Sequence, residues 1–138
     1  MQIDPPGLFI DNNEIKLGPI QFCYYRYFLE KAKSGEKYMR VTAYQLPLEF
    51  TESIIEYYKN SYPPDYDINI KDYKKELKES VNINTDNFLP NVSKINKKIK
   101  EVLNNSSKSR YCSIESEGPR GAKTYGINLP KEKIKFLK

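Results

Sequence analysis

Five apolar residues near the middle of the second half of the chain recur at helical spacing. They are Val92, Ile95, Ile99, Val102 and Leu103, at positions i, i+3, i+7, i+10 and i+11. On a helical wheel their side chains fall within about 100° of one another. The pattern therefore predicts an amphipathic helix over residues 91–104, with Pro90 at its start and the polar run 104–107 at its end.

The opposite face of this predicted helix is polar and basic. It carries Ser93, Lys94, Lys97, Lys100 and Glu101, with Asn96 and Lys98 on its flanks. Because lysine ammonium groups neutralise phosphates, we regard five of these residues as candidate nucleic-acid contacts: Ser93, Lys94, Asn96, Lys97 and Lys100. A lysine-rich face is also common on helices that are only solvated. Asn96 has a structural alternative, as a cap or as a contact to the following hairpin.

A β-hairpin is predicted directly after this helix. Its strands are residues 110–116 and 124–129, and the connector 117–123 contains Gly118-Pro119 and Gly121, which favour a turn. The alternation places Cys112 and Ile114 on one face of the first strand, and Tyr125, Ile127 and Leu129 on one face of the second. We expect Arg120 and Lys123 to project from the tip and to contact phosphates.

The N-terminal part begins with a predicted hairpin and continues with a helix. The hairpin covers residues 8–17 around the turn pair Asn12-Asn13. The helix covers residues 19–33, because Ile20, Cys23, Tyr24, Tyr27 and Phe28 are spaced at i, i+3, i+4, i+7 and i+8. The Ser34-Gly35 pair supplies its end.

Residues 36–84 carry weaker signals and resemble an insertion. We predict a helix over residues 46–58, a proline-containing loop over 61–65 and a short amphipathic helix over 72–81. The order of all these elements is typical of a winged helix-turn-helix, in which a β-hairpin wing lies beside a DNA-contacting helix. We therefore expect a single α+β domain of winged-helix type over residues 1–138.

The net charge of +5 is unevenly distributed. Residues 1–85 hold 11 basic and 13 acidic side chains, whereas residues 86–138 hold 12 basic and 5 acidic side chains, a net charge of +7. A basic half predicts a surface that faces a polyanion, although lysine-rich solvation has the same appearance. Only four arginines are present, so the residues that most often read guanine specifically are scarce.

Several functional classes lack the residues that they need. The chain has no histidine, and its two cysteines, Cys23 and Cys112, lie far apart in apolar patterns, so we expect buried free thiols and no metal or other cofactor. No run reaches the roughly 18 apolar residues of a membrane span, and no secretory signal is visible, so we expect a cytoplasmic protein. No nucleophile–base pair is evident, which favours a binding or regulatory module over an enzyme.

Three stretches resemble a known family. Residues 15–28, 91–99 and 111–129, the last with its core EGPRGAKTYG, resemble the C-terminal region of the CRISPR-associated CARF-domain proteins known as ring nucleases of type III systems. A more distant similarity is to the effector domain of winged-helix response regulators. The resemblance leaves out residues 36–84, and its matching positions are Ser93, Asn96, Gly118, Arg120, Tyr125 and Gly126.

The resemblance implies a winged-helix regulatory domain of a CRISPR type III accessory protein in antiviral defence. In that family, an N-terminal CARF domain binds and cleaves cyclic oligoadenylate. This sequence has no room for such a domain and no βαβ alternation, so no ring-nuclease residues carry over. We expect either a domain of a longer protein or a separately encoded partner of a CARF-type domain.

Three functions remain open at this point. The first is binding of DNA or RNA through the basic helix and the wing. The second is protein interaction or homodimerisation, since tyrosines such as Tyr57, Tyr58, Tyr62 and Tyr66 are typical of interface cores. The third is a metal-independent ribonuclease that uses Tyr111, Arg120 and Lys123.

Overall fold

A computed structural model describes residues 2–4, 7–10, 12–35, 38–42, 46–61, 85–104, 107–119, 121–130, 133 and 135–136. The described elements are β1 (Gln2–Asp4), β2 (Gly7–Ile10), β3 (Asn13–Glu14), α1 (Pro19–Ser34), β4 (Tyr38–Thr42), α2 (Leu48–Ser61), α3 (Thr85–Val102), α4 (Ser107–Cys112), β5 (Ile114–Glu117), β6 (Ala122–Ile127) and β7 (Lys135–Phe136). The chain is an α+β protein, as the sequence predicts.

Helix α1 is the central element of the core. Proline occupies its first turn, where the missing N–H has no helical partner to lose, and Gly35 ends it in the left-handed conformation with φ of 93°. Eight of its side chains are buried: Phe22, Cys23, Tyr24, Tyr25, Tyr27, Phe28, Leu29 and Ala32. Apolar residues around most of its circumference let α1 contact α2, α3, β4 and β6. The predicted helix over residues 19–33 is confirmed.

A cluster of aromatic rings joins α1 to its neighbours. Phe50 of α2 and Phe88 of α3 meet edge to face with centroids 5.6 Å apart, and Phe88 meets Tyr125 of β6 at 5.1 Å in the same way. Tyr24 of α1 lies 5.0 Å from Phe50. Edge-to-face pairs add a directional attraction to the burial of the rings. The cluster therefore fixes three helices and one strand relative to one another.

A three-stranded antiparallel sheet has the order β4-β6-β5. Strand β6 is central and pairs with β4 from Tyr38↔Gly126 to Thr42↔Ala122. It pairs on its other edge with β5 from Ile114↔Ile127 to Glu117↔Thr124. The predicted hairpin is thus present, and a strand that the sequence analysis did not predict, β4, extends it.

The outer face of this sheet has a polar network around a glycine. Gly126 lies between Tyr38 on one neighbouring strand and Glu115 on the other. The Tyr38 hydroxyl donates to Asn128 Oδ1 at 2.9 Å, and Asn128 Nδ2 donates to Glu115 Oε2 at 3.1 Å. Cross-strand neighbours project from the same face, so a side chain at position 126 would stand between the two partners of Asn128.

A second sheet has the order β3-β2-β1-β7. Strands β2 and β3 form the predicted N-terminal hairpin, with Asn12 in the left-handed conformation at φ of 66°. Strand β1 pairs with β2 antiparallel and with β7 parallel through Gln2↔Lys135 and Ile3↔Phe136. The side chains of Leu8 and Ile10 in β2, and of Ile15 just after β3, are buried in the core.

The other predicted boundaries shift in the structure. The helix predicted for 46–58 is α2 at Leu48–Ser61. The helix predicted for 91–104 begins six residues earlier, so Pro90 lies inside α3 and does not start it. Burial of Phe88 against four aromatic rings offsets the hydrogen bond that Pro90 removes. The helix predicted for 72–81 and most of the loop predicted for 61–65 lie outside the described residues.

Candidate nucleic-acid interface

The polar face of α3 carries the predicted cationic residues. Val92, Ile95 and Ile99 point into the core, while Ser93, Lys94, Lys97 and Lys100 are exposed. The i, i+3, i+6 spacing of the three lysines brings their ammonium groups along one side of the helix. The structure thus brings four of the seven predicted contact residues onto one solvent-facing surface.

Asn96 lies on the edge of this surface and binds β5. Its Oδ1 accepts a hydrogen bond from the Ile114 N–H at 2.8 Å, and its Nδ2 donates to the Ile114 carbonyl at 2.9 Å. This two-point contact matches the structural alternative, a bond to the hairpin. It holds β5 against α3, so the lysine face and the hairpin have a fixed relation. A nucleic-acid contact by Asn96 stays a prediction.

The segment between α3 and the hairpin is helical, which corrects the predicted strand over residues 110–116. Residues 107–112 form α4, and β5 begins only at Ile114. The Ser109 carbonyl accepts hydrogen bonds from Ser113 Oγ at 2.7 Å and from Ser113 N–H at 3.0 Å. These bonds close the last turn of α4, so Cys112 belongs to a helix and not to the face of a strand.

A buried tyrosine fixes the C-terminal end of α4. The Tyr25 hydroxyl of α1 donates a hydrogen bond to the Cys112 carbonyl at 2.5 Å, and Tyr25 is fully buried. Burial raises the pKa of Tyr25 well above its ordinary value, so the phenol keeps the proton that it donates. The core thereby positions a short helix that has few apolar residues of its own.

An open groove joins α3, α4 and β5, and we call it the α3–α4 groove. Its lining comprises Asn96, Lys100, Ser107, Ser109, Arg110, Ser113, Ile114, Glu115 and Ser116. A second depression shares Asn96 and Lys100 with it and continues along α3 past Ser93, Lys97 and Glu101. Serine, lysine and arginine side chains make up most of this continuous surface, beside the carboxylates of Glu101 and Glu115. Hydroxyl, ammonium and guanidinium groups are common donors to phosphate oxygens.

The hairpin tip differs from the prediction at Lys123. Strand β5 ends at Glu117 and β6 begins at Ala122, so Lys123 lies within β6, opposite Val41, and not in the connector. Alternation places it on the same face as Tyr125 and Ile127, which are buried, and it is itself half-buried. The predicted projection of Lys123 from the tip is therefore wrong. Arg120 lies outside the described residues.

A second polar groove has the opposite charge. It lies between α1 and α2 and is lined by Glu30, Glu49, Glu52 and Glu56, with Lys31 among them. Tyr27 Oη donates to Glu49 at 2.8 Å and Lys31 Nζ lies 3.2 Å from the same carboxylate. These hydrogen bonds hold the pKa of Glu49 below its ordinary value, which keeps it ionised. A polyanion would be repelled here, so this second groove is a poor candidate for contact with nucleic acid.

The described ranges also bear on three further features: a metal site, the residues of the ribonuclease hypothesis and a membrane span. Within them, no group of three or more Cys, Asp or Glu side chains is placed to hold a metal ion. Tyr111 of the ribonuclease hypothesis lies on α4 and Lys123 on β6. None of the helices that the structure describes is both long enough and apolar enough to cross a membrane.

Sequence reasoning missed Arg110 and Ser107 as members of the surface, because it placed the first in a strand and the second in a loop. The signal was present in the run Ser106-Ser107-Lys108, since serine is a favoured residue at helix starts.

Comparisons with known proteins returned nothing: no family model, no curated protein and no solved structure matches the chain. The resemblance to CARF-associated winged-helix regions stays a prediction.

Proposed function

We propose that this protein binds nucleic acid through the exposed lysine face of α3 and the α3–α4 groove, as a domain of winged-helix type. The observation that carries the proposal is the continuity of that cationic surface. Lys94, Lys97 and Lys100 lie along one helix, and Lys100 also lines the groove that contains Arg110. Phosphate oxygens are the ligand class that such an array of flexible ammonium groups and one guanidinium fits best.

The winged-helix part of the proposal is supported by the order of the elements. A β-hairpin, β5–β6, follows α3 and α4 and is held to α3 by Asn96. In winged-helix proteins such a hairpin lies beside the nucleic-acid-contacting helix and touches the neighbouring backbone. The further proposal of a regulatory role in a CRISPR type III accessory protein rests on the three resembling sequence stretches alone.

Binding of fluorescent duplex DNA and single-stranded RNA, measured by anisotropy at about 50 and about 200 mM salt, tests the proposal. We expect steep salt dependence for the unmodified protein. The double variant Lys97→Ala/Lys100→Ala should lower the slope of log K against log salt by about two, since about 0.9 counterions are released per duplex phosphate contact.

The matched control is Lys16→Ala/Lys59→Ala, which removes the same charge from two exposed lysines outside the surface. It should leave the slope nearly unchanged. Equal losses in both double variants would mean that net charge alone drives binding. Absence of binding at the lower salt concentration would overturn the proposal and leave protein interaction as the better hypothesis.

A further inference from the structure

Tyr111 is the most exposed of the large hydrophobic side chains that the structure describes, with 55% of its surface accessible. Most other described tyrosines have an internal partner: Tyr25 binds the Cys112 carbonyl, Tyr27 binds Glu49 and Tyr38 binds Asn128. Within the described ranges, the side chain of Tyr111 makes no hydrogen bond, ion pair or ring contact. More than half of this aromatic side chain is thus accessible to a ligand.

The geometry of α4 places this ring beside two residues that line the α3–α4 groove, while the ring itself is not part of that lining. Ser109 and Cys112 are buried and define the inner side of α4, so Ser107, Arg110 and Tyr111 face outward. At 100° per residue, Ser107 falls between Arg110 and Tyr111 on that outer side. Ser107 and Arg110 both line the groove. The ring therefore stands next to two groups that can bind a phosphate.

The ring is also held on a rigid support. The Ser109 carbonyl accepts two hydrogen bonds from Ser113, and the Cys112 carbonyl accepts one from the buried Tyr25 hydroxyl. Tyr111 lies between these two anchored residues. Because the backbone on both sides of Tyr111 is anchored, only the side-chain torsions lose conformational freedom when the ring stacks on a ligand, which favours binding.

We infer that Tyr111 is a base-stacking platform and that the α3–α4 groove takes single-stranded nucleic acid in preference to a duplex. This inference rests on the proposed function and names its substrate class. A cationic groove beside an exposed aromatic ring is the combination by which proteins bind single strands. The face of a base inside a duplex is covered by its stacked neighbours, whereas an unpaired base can turn out and stack on a side chain.

The experiment compares oligomers that share phosphates but differ in bases. Labelled single strands of about 12 nucleotides, one of RNA and one of DNA, are titrated beside a duplex and an abasic deoxyribose-phosphate oligomer of the same length. We expect the single strands to bind more tightly than the duplex and the abasic oligomer. Preference for either the RNA or the DNA strand supports the inference, since both expose base faces.

Tyr111→Ala should weaken binding of the single strands about 5- to 150-fold, the range for loss of one stacked base, and should leave the abasic oligomer unaffected. Tyr111→Phe should retain the preference for bases. Leu89→Ala is the matched control, because Leu89 is 51% exposed on α3 and its truncation removes apolar surface away from the groove. Tyr111→Trp adds the only tryptophan of the chain, and its fluorescence should be quenched by the single strands.

The outcomes separate the two proposals. If the abasic oligomer binds as tightly as the single strands, or if Tyr111→Ala changes nothing, the stacking inference is wrong while phosphate binding stands. If none of the four oligomers binds, the proposed function itself fails. Thermal unfolding by circular dichroism shows whether each variant is folded. If the alanine variant unfolds, the fluorescence of Tyr111→Trp decides: quenching by the single strands but not by the abasic oligomer supports stacking, and no quenching by either contradicts it.

Discussion

At the scale of the residue, Asn96 has the most clearly assigned role. The amide oxygen and the amide nitrogen of Asn96 bind the N–H and the carbonyl of one residue of β5, Ile114, so a single side chain ties α3 to the hairpin. Its position on the polar flank of α3 is visible in the sequence. Its hydrogen-bond partner is not visible there. The same sequence pattern is expected whether the asparagine faces water, a phosphate or a strand 18 residues later.

Asn96→Ala should lower the free energy of unfolding by about 1–3 kcal/mol. The Ile114 N–H and carbonyl would lose this partner in a half-buried place, and the higher helix propensity of alanine would offset only a part of the loss. Urea denaturation measures the effect. Ser93→Ala is the control, because Ser93 is exposed on the same helix and should change stability by less than about 0.5 kcal/mol. Equal effects of the two substitutions would contradict a stabilising role for the hydrogen bonds between Asn96 and Ile114.

At the scale of the element, the hairpin β5–β6 depends on two glycines with positive φ. Gly118 has φ of 101°, and a Cβ there would lie 2.9 Å from the Ala122 carbonyl oxygen. Gly121 has φ of 88°, and a Cβ there would meet nothing within 4 Å. Alanine at position 121 would therefore add only backbone strain, whereas alanine at position 118 would add backbone strain and a steric overlap.

Gly121→Ala should destabilise the protein by about 1–2 kcal/mol, the usual cost of a left-handed alanine. Gly118→Ala should cost more than Gly121→Ala, because it adds a clash with backbone that has no flexible side chain to move. Urea unfolding of the two variants in parallel measures the difference. Equal costs would show that the tip relaxes and that the clash contributes nothing.

Local signals explain which elements could be predicted. Helices α1 and α3 have their apolar residues at helical spacing, and the glycines of the β5–β6 turn are visible in the sequence. Strand β4 was missed because its partner, β6, lies more than 80 residues away, as in the pair Tyr38↔Gly126. Helix α4 was missed because its buried residues are only Ser109 and Cys112, which give no helical period.

The residues of the candidate site could likewise be predicted only where a local sequence pattern marks them. The exposed face of α3 follows directly from its periodicity, so Lys94, Lys97 and Lys100 were identified. The contribution of Arg110 and the exposure of Tyr111 depend on α4 being a helix, which hydrogen bonds from Tyr25 and Ser113 determine. Those bonds join residues that no local pattern connects.

At the scale of the whole molecule, the two thiols report on global unfolding. Cys23 and Cys112 are both free and buried, with at most 1% exposure. Burial raises the pKa of Cys23 from 9.0 to about 12, against a smaller opposing effect of Arg26, and burial also raises the pKa of Cys112. The thiolate, which is the reactive form, is therefore scarce in the folded protein.

We expect an aromatic disulfide reagent at pH 8 to label both thiols slowly and at one common rate, set by unfolding. The Cys112→Ser variant should show whether Cys23 alone keeps that rate. Because unfolded thiols ionise near 9.0 and the folded ones do not, the free energy of unfolding should fall as the pH rises above that value. Fast labelling of either thiol in a protein with native circular dichroism would contradict this expectation.

The parallel pair of β1 and β7 has a consequence for synthesis on the ribosome. Residues 2–3 leave the exit tunnel before their partners at 135–136, which are synthesised more than 130 residues later. Until then one edge of β1 has unpaired N–H and C=O groups, and such an edge readily pairs with another nascent chain. The ribosome must translate past residue 136 before β7 can pair with that edge. Mispairing of β1 with a neighbouring nascent chain is therefore most favoured during synthesis on crowded polysomes.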